Sequence, residues 1–151
     1  MLYSIGEEHR IVGISGFTVR PARARKEKPK VSAFTSAKID KILDLKPDLV
    51  LGFSDLQADI AAELIKHGVE VYVFNQRSLA DISRMMRALG RLIDAGDKTE
   101  RFVTDLEDNM TSIRNRVATY RVRPKVYFEE WFDPIISGIG WVSEIIELCG
   151  G

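Results

Sequence analysis

The side chains best suited to chemistry lie together late in the chain, where Glu129, Glu130 and Asp133 surround Trp131 and Phe132, with Trp141 following. Carboxylates can serve as general acid, general base or metal ligand, and one reading is a hydrolase or metal enzyme built on Glu129, Glu130 and Asp133. Spacing weakens it. Neighbouring residues in an extended strand face opposite ways, so Glu129 and Glu130 do not converge on one substrate unless the chain has already turned. Metal ligation by Glu130 and Asp133 with His9 or His67 lacks the helical or loop spacing of known ligand sets, and His67, just before Gly68, reads as a cation at a helix end. No metal site and no catalytic residue is therefore assigned.

Other familiar patterns are incomplete. Ser15-Gly16 and Ser137-Gly138 lack the glycine frame of a nucleophile elbow, and the glycines at 13, 16, 138 and 140 do not form a dinucleotide fingerprint. Arg20 to Lys30 holds six basic residues and two prolines. Without interleaved aromatic residues to stack on bases, it reads as a solvated loop. The 22 basic and 22 acidic residues cancel, leaving no global field to hold a polyanion, so no nucleic-acid partner is expected. Composition, 45% apolar and 29% charged, is that of a globular chain. The lone Cys149 cannot form an internal disulfide. No apolar run approaches the roughly 20 residues of a membrane span, and residues 1–10 lack the regions of a signal peptide, so the expectation is either a protein that stays in the cytosol or an export signal missing from this chain.

The elements that must position these groups alternate. Arg10–Ser15 reads as a buried strand closed by Gly16. Lys30–Ala33 reads as another short strand. Ser36 is expected to cap a helix carrying Ile39, Ile42 and Leu43, which Pro47 stops before the strand Leu49–Phe53. A helix through Ile60, Ala61 and Leu64 closes at Gly68 and leads to the strand Val69–Phe74. Such alternation predicts an α/β fold, a parallel sheet flanked by helices, with ligands beyond the carboxyl ends of the strands. At those ends stand Phe17 and Thr18, Phe34 and Thr35, Phe53 to Gln57 including Ser54, and Asn75 to Arg77. With Trp131, Phe132 and Trp141, this aromatic set suits a large, flat, partly apolar ligand.

Ser78 with Asp81 caps a further helix whose apolar face (Ile82, Met85, Met86, Leu89, Ile93) ends near Gly96. Asp97 and Glu100 are expected to open a long helix as a capping box, running to about Arg121 and spanning about 37 Å. Pro124 ends it, and Lys125–Phe128 is expected to begin a new strand. The resulting division is an α/β lobe at residues 1–96, a connecting helix at 97–123, and the start of a second α/β lobe at 124–151.

Leu45-Lys46-Pro47-Asp48-Leu49-Val50-Leu51, a helix, Gly68-Val69-Glu70-Val71-Tyr72-Val73, a long helix, a strand and a terminal Gly-Gly together resemble the helical-backbone class of ABC-transporter substrate-binding proteins. That class binds cobalamin, siderophores and haem, and the match is closest to the cobalamin branch. The resemblance implies two α/β lobes bridged by a rigid helix, reversible capture of a corrinoid or similar metal chelate between them, no resident cofactor, and delivery to a membrane permease outside the cytoplasm. It implies that Phe34 and Phe53 lie against the ligand and that Trp131, Phe132 and Asp133 approach from the second lobe. Asp59 is implied as one permease-docking acid, with the other beyond Gly151. It further implies a chain lacking a first strand and most of the second lobe. A two-fold dimer pairing or swapping the Val126–Phe128 region is expected on that basis.

Overall fold

The computed structural model describes residues 1–151 and has an α/β fold made of two compact units, Met1–Asn75 and Gln76–Gly151. In the first unit, β1 (Ile14–Ser15) pairs in parallel with β2 (Lys30–Ser32), and β3 (Val50–Phe53) pairs in parallel with β4 (Val71–Phe74). Helix α1 (Ala24–Glu27) precedes β2, α2 (Ile39–Asp44) follows it, and α3 (Ala58–Lys66) crosses from β3 to β4. The β3–β4 register runs from Val50 opposite Val71 to Phe53 opposite Phe74. Ile14, Ala24, Ile42 and Leu64 are buried as this unit's core.

Local chemistry explains these boundaries. Gly68 takes a left-handed φ of 77° just after α3, where a side chain would be strained, and so lets the chain reverse into β4. Ser36 does not cap α2. The residue before that helix is Lys38, which makes no side-chain capping bond, and Ser36 instead closes a tight loop in which its carbonyl accepts from Ala33 N–H at 2.8 Å. The basic segment is not wholly irregular either. Ala24 is fully buried, and its interior contact draws Ala24–Glu27 into the single helical turn α1.

The second unit is mainly helical. Helix α4 (Leu79–Leu92) begins with the expected capping box, in which Ser78 Oγ accepts from Asp81 N–H while the Asp81 carboxylate accepts from Ser78 N–H. Helix α5 (Gly96–Val117) has 22 residues and spans about 33 Å. Helix α6 (Gly140–Leu148) packs on both. Leu89, Ala95, Thr99, Val103, Val117 and Leu148 are buried. The C-terminal glycines fit closely here: Gly150 has φ 91°, and a Cβ added to it would fall 2.6 Å from Val117 Cγ1.

Three expectations are corrected. No capping box opens α5, because its preceding residue is Ala95, which has no side-chain oxygen, and Glu100 is drawn instead to Arg87 on α4. The helix stops at Val117 rather than Arg121: Thr119 Oγ1 donates back to Arg116 O at 2.8 Å, and Pro124 cannot extend a helix. Lys125–Phe128 is not a strand. Its residues are exposed and belong to none of the sheets, and a segment becomes a strand only when a neighbour pairs with its backbone. The strands in this region are β5 (Trp131–Phe132) and β6 (Ile135–Ile136), an antiparallel hairpin turning at Asp133-Pro134. The compact division falls at Asn75/Gln76 and groups α4 with α5.

Candidate functional site

In the first unit the aromatic residues stand where parallel strands end. Phe53 is the last residue of β3 and Phe34 follows β2 by two residues; their ring centroids are 6.5 Å apart in a tilted arrangement. Ser54 holds the turn beyond β3. It has a left-handed φ of 69°, is buried, donates its N–H to Phe74 O at 2.8 Å, and accepts from Leu56 N–H at 3.2 Å through Oγ. Its role is thus to shape the turn. Thr35 is exposed beside Phe34.

Gln57 joins the two aromatic segments. Its Oε1 accepts from Phe53 N–H at 2.8 Å and its Nε2 donates to Phe34 O at 2.7 Å. Sequence reasoning placed Gln57 only at the margin of the β3 end. Phe17 lies after β1 and is 69% exposed. Its loop is fixed by Ser15 Oγ, which accepts from Phe17 N–H at 3.2 Å, and by Arg25 Nη1, which donates to Gly16 O at 2.8 Å. Asp59 is exposed in the first turn of α3.

In the second unit, Trp131 and Phe132 stack at 5.8 Å with an interplanar angle of 23°. Trp131 Nε1 donates to Asp133 O at 3.0 Å, so the indole folds back over its own turn and both rings remain exposed. Asp133 contributes this carbonyl to the site, and its residue is exposed. Trp141 sits in the first turn of α6 and is half-buried. The Phe128 ring covers Gly138, where an added Cβ would meet Phe128 Cε1 at 2.9 Å.

The carboxylates of this region lie at the surface. Tyr127 donates its hydroxyl to Glu129 Oε2 at 2.5 Å, and that bond, with some desolvation, raises the phenol above its ordinary range. Glu130 and Asp133 are exposed, and no group of three or more His, Cys, Asp or Glu side chains could hold a metal ion. No helix is long and apolar enough to cross a membrane. The geometry is that of apolar rings near backbone groups held by hydrogen bonds.

The family described as periplasmic binding protein matches residues 1–151, and the chain belongs to that family. A vitamin B12-binding protein of Vibrio parahaemolyticus is 29% identical over 154 residues, a match covering 99% of this chain and 54% of the relative. Among solved structures, the periplasmic vitamin B12 binding protein of Vibrio cholerae superposes with TM-score 0.80 at 25% identity, over 99% of this chain and 59% of that one. A periplasmic haem-binding protein from Roseiflexus sp. RS-1 shares the fold, with TM-score 0.82 at 19% identity over 99% of this chain and 59% of that one. The chain spans about half the length of the curated relatives it matches.

Proposed function

We propose that this chain provides ligand-capturing surface for the binding component of an ABC importer working outside the cytoplasm, and that its cargo is a corrinoid of the cobalamin type. The observation that carries this reading is the pair of rings, Phe34 and Phe53, held at the ends of parallel strands in a chain of the periplasmic binding protein family. Flat macrocycles bind well against such rings, because ring faces bury large apolar area with little side-chain freedom to lose. The exposed Trp131–Phe132 stack on the second unit offers a surface of the same kind.

Haem or a ferric siderophore is the neighbouring alternative. Tyrosine binds ferric haem as the phenolate, and Tyr127, donating to Glu129, has its neutral phenol favoured instead. A corrinoid arrives with its metal already coordinated and asks only for apolar surface and peripheral hydrogen bonds. Capture without chemistry fits the carboxylates too: Glu129 is engaged by Tyr127, and Glu130 is exposed at a bend. Asp59, exposed on α3, is the docking acid for a basic socket of the permease in this reading.

Isothermal calorimetry of the full-length gene product with cyanocobalamin, a ferric siderophore and haem tests the proposal. Cyanocobalamin is expected to bind with a negative heat-capacity change from apolar burial. Binding of none of the three removes the reading. Preference for haem or the siderophore corrects the cargo and leaves capture in place.

A further inference from the structure

We propose that Gln57 is a positioning residue, whose carboxamide sets Phe34 and Phe53 in their binding arrangement before any ligand arrives; its meaning for capture rests on the corrinoid reading above. The argument begins with strand geometry. In β3 the N–H groups of Val50 and Ser54 point toward β4, donating to Glu70 O at 2.9 Å and Phe74 O at 2.8 Å. Alternation along a strand turns the N–H of Phe53 to the opposite edge. There Gln57 Oε1 meets it at 2.8 Å.

The other end of the same amide donates to Phe34 O at 2.7 Å, across 23 residues of sequence. Phe34 lies at the tip of a small loop closed by Ala33 N–H to Ser36 O at 2.8 Å and Lys38 N–H to Val31 O at 2.8 Å. One planar group therefore fixes the backbone of both aromatic residues. The task requires an acceptor and a donor on the same short, flat group, which a glutamine has and a glutamate, when ionised, does not. Space is kept for it as well, since a Cβ on Gly52 would press to 3.3 Å from Gln57 Oε1. A ligand that finds the rings already placed does not have to order them, and preorganisation of this kind raises affinity.

The test is Gln57→Glu, because protonation returns the missing donor. At pH 7.5 the carboxylate still accepts from Phe53 N–H, but its second oxygen faces the Phe34 carbonyl and repels it. Below the carboxyl pKa an O–H replaces the lost N–H. Asp55 and Asp59 flank Gln57 in sequence, so the wild-type chain titrated in parallel accounts for them. Two readouts are taken: nuclear Overhauser contacts between the Phe34 and Phe53 rings in this chain without ligand, and affinity of the full-length gene product for cyanocobalamin.

In Gln57→Glu the ring contacts are expected to be lost at pH 7.5 and to return near pH 4.5, while the wild type keeps them throughout. Affinity is expected to fall about five- to ten-fold at pH 7.5 and to recover on the same titration, the scale of one hydrogen bond. Gln57→Leu, with neither donor nor acceptor, should show the loss without recovery. Ring contacts in Gln57→Glu that match the wild type at pH 7.5, or that fail to return on acidification, overturn the proposal. If the contacts follow the expected pattern but the wild type does not bind cyanocobalamin, the corrinoid reading fails and the positioning role stands.

Discussion

Gly90→Ala sets two effects against each other with opposite signs. Gly90 is buried within α4, and replacing an interior helical glycine by alanine gains about 1 kcal/mol in helix propensity. Propensity is not the larger effect here. The new Cβ would stand 2.3 Å from Thr99 Oγ1, 2.6 Å from Thr99 Cβ and 2.9 Å from Thr99 Cγ2, all on the facing helix α5. Rotation about χ1 moves Oγ1 and Cγ2 but leaves Cβ where it is, well inside the carbon–carbon optimum of about 3.5–4.0 Å. The helices must therefore separate along a seam that also buries Leu89 and Val103. Overpacking of this severity belongs near the upper end of the usual range, about 3 kcal/mol, so the net loss is about 2 kcal/mol. For a chain of this size that lowers the melting temperature by about 4–8 °C. Thermal melts and urea midpoints of wild type, Gly90→Ala, Thr99→Gly and the double variant form the assay. The double variant should lose less than the sum of the single losses, by about 1–2 kcal/mol, because Thr99→Gly removes the obstructing atoms. A Gly90→Ala chain as stable as wild type, or more so, would show that the α4–α5 seam is looser than drawn and that propensity decides.

Two further outcomes follow from features already described. Arg87 donates to Glu100 through Nε and Nη2 and to Glu107 through Nη1 and Nη2, and these hydrogen bonds hold both carboxyls below their ordinary values. Depressed folded-state values mean stabilisation that is present above the unfolded carboxylate range, about 4.3, and is lost as pH falls through the folded values. Arg87→Gln should therefore lower the urea midpoint at pH 7 and converge with wild type in acid; a gap that persists at low pH would refute the linkage. The exposed Tyr127, Phe132 and Ile135 side chains favour association between copies of this chain, so light scattering across a dilution series should show mass above the monomer at the concentrated end. Phe132→Ser with Ile135→Ser should restore the monomer, and a wild-type chain that is monomeric throughout would count against an interface there.

The alternation of strand and helix was legible because Pro47 and Gly68 punctuate it at steps that backbone sterics enforce. The Ser78–Asp81 cap was equally readable, since both partners lie within one turn. Features that depend on residues distant in sequence were not. Glu100 has the spacing of a capping partner, but Arg87 on the neighbouring helix competes for it and makes the bidentate bond. Lys125–Phe128 has strand composition, yet pairing decides strand formation. The Asp133-Pro134 turn between Phe132 and Ile135 was the available signal that the hairpin lies a few residues later. Phe34 and Phe53 could be placed at strand ends from periodicity alone, whereas the amide that holds them follows no periodicity, because it satisfies backbone groups from the end of β3 and from a separate loop.

The bond from Leu79 N–H to the Glu144 carboxylate, 2.7 Å long, joins residues 65 positions apart. That separation fixes an order of events on the ribosome. Strands β1 to β4 pair with one another within residues 1–75. Helix α4 emerges next, with its capping box formed locally and its Leu79 N–H still awaiting Glu144. At about 5–20 residues per second, the anion arrives roughly 3–13 s later. Until then α4 and α5 have no α6 packed on them, and the apolar seam that α6 covers stays open.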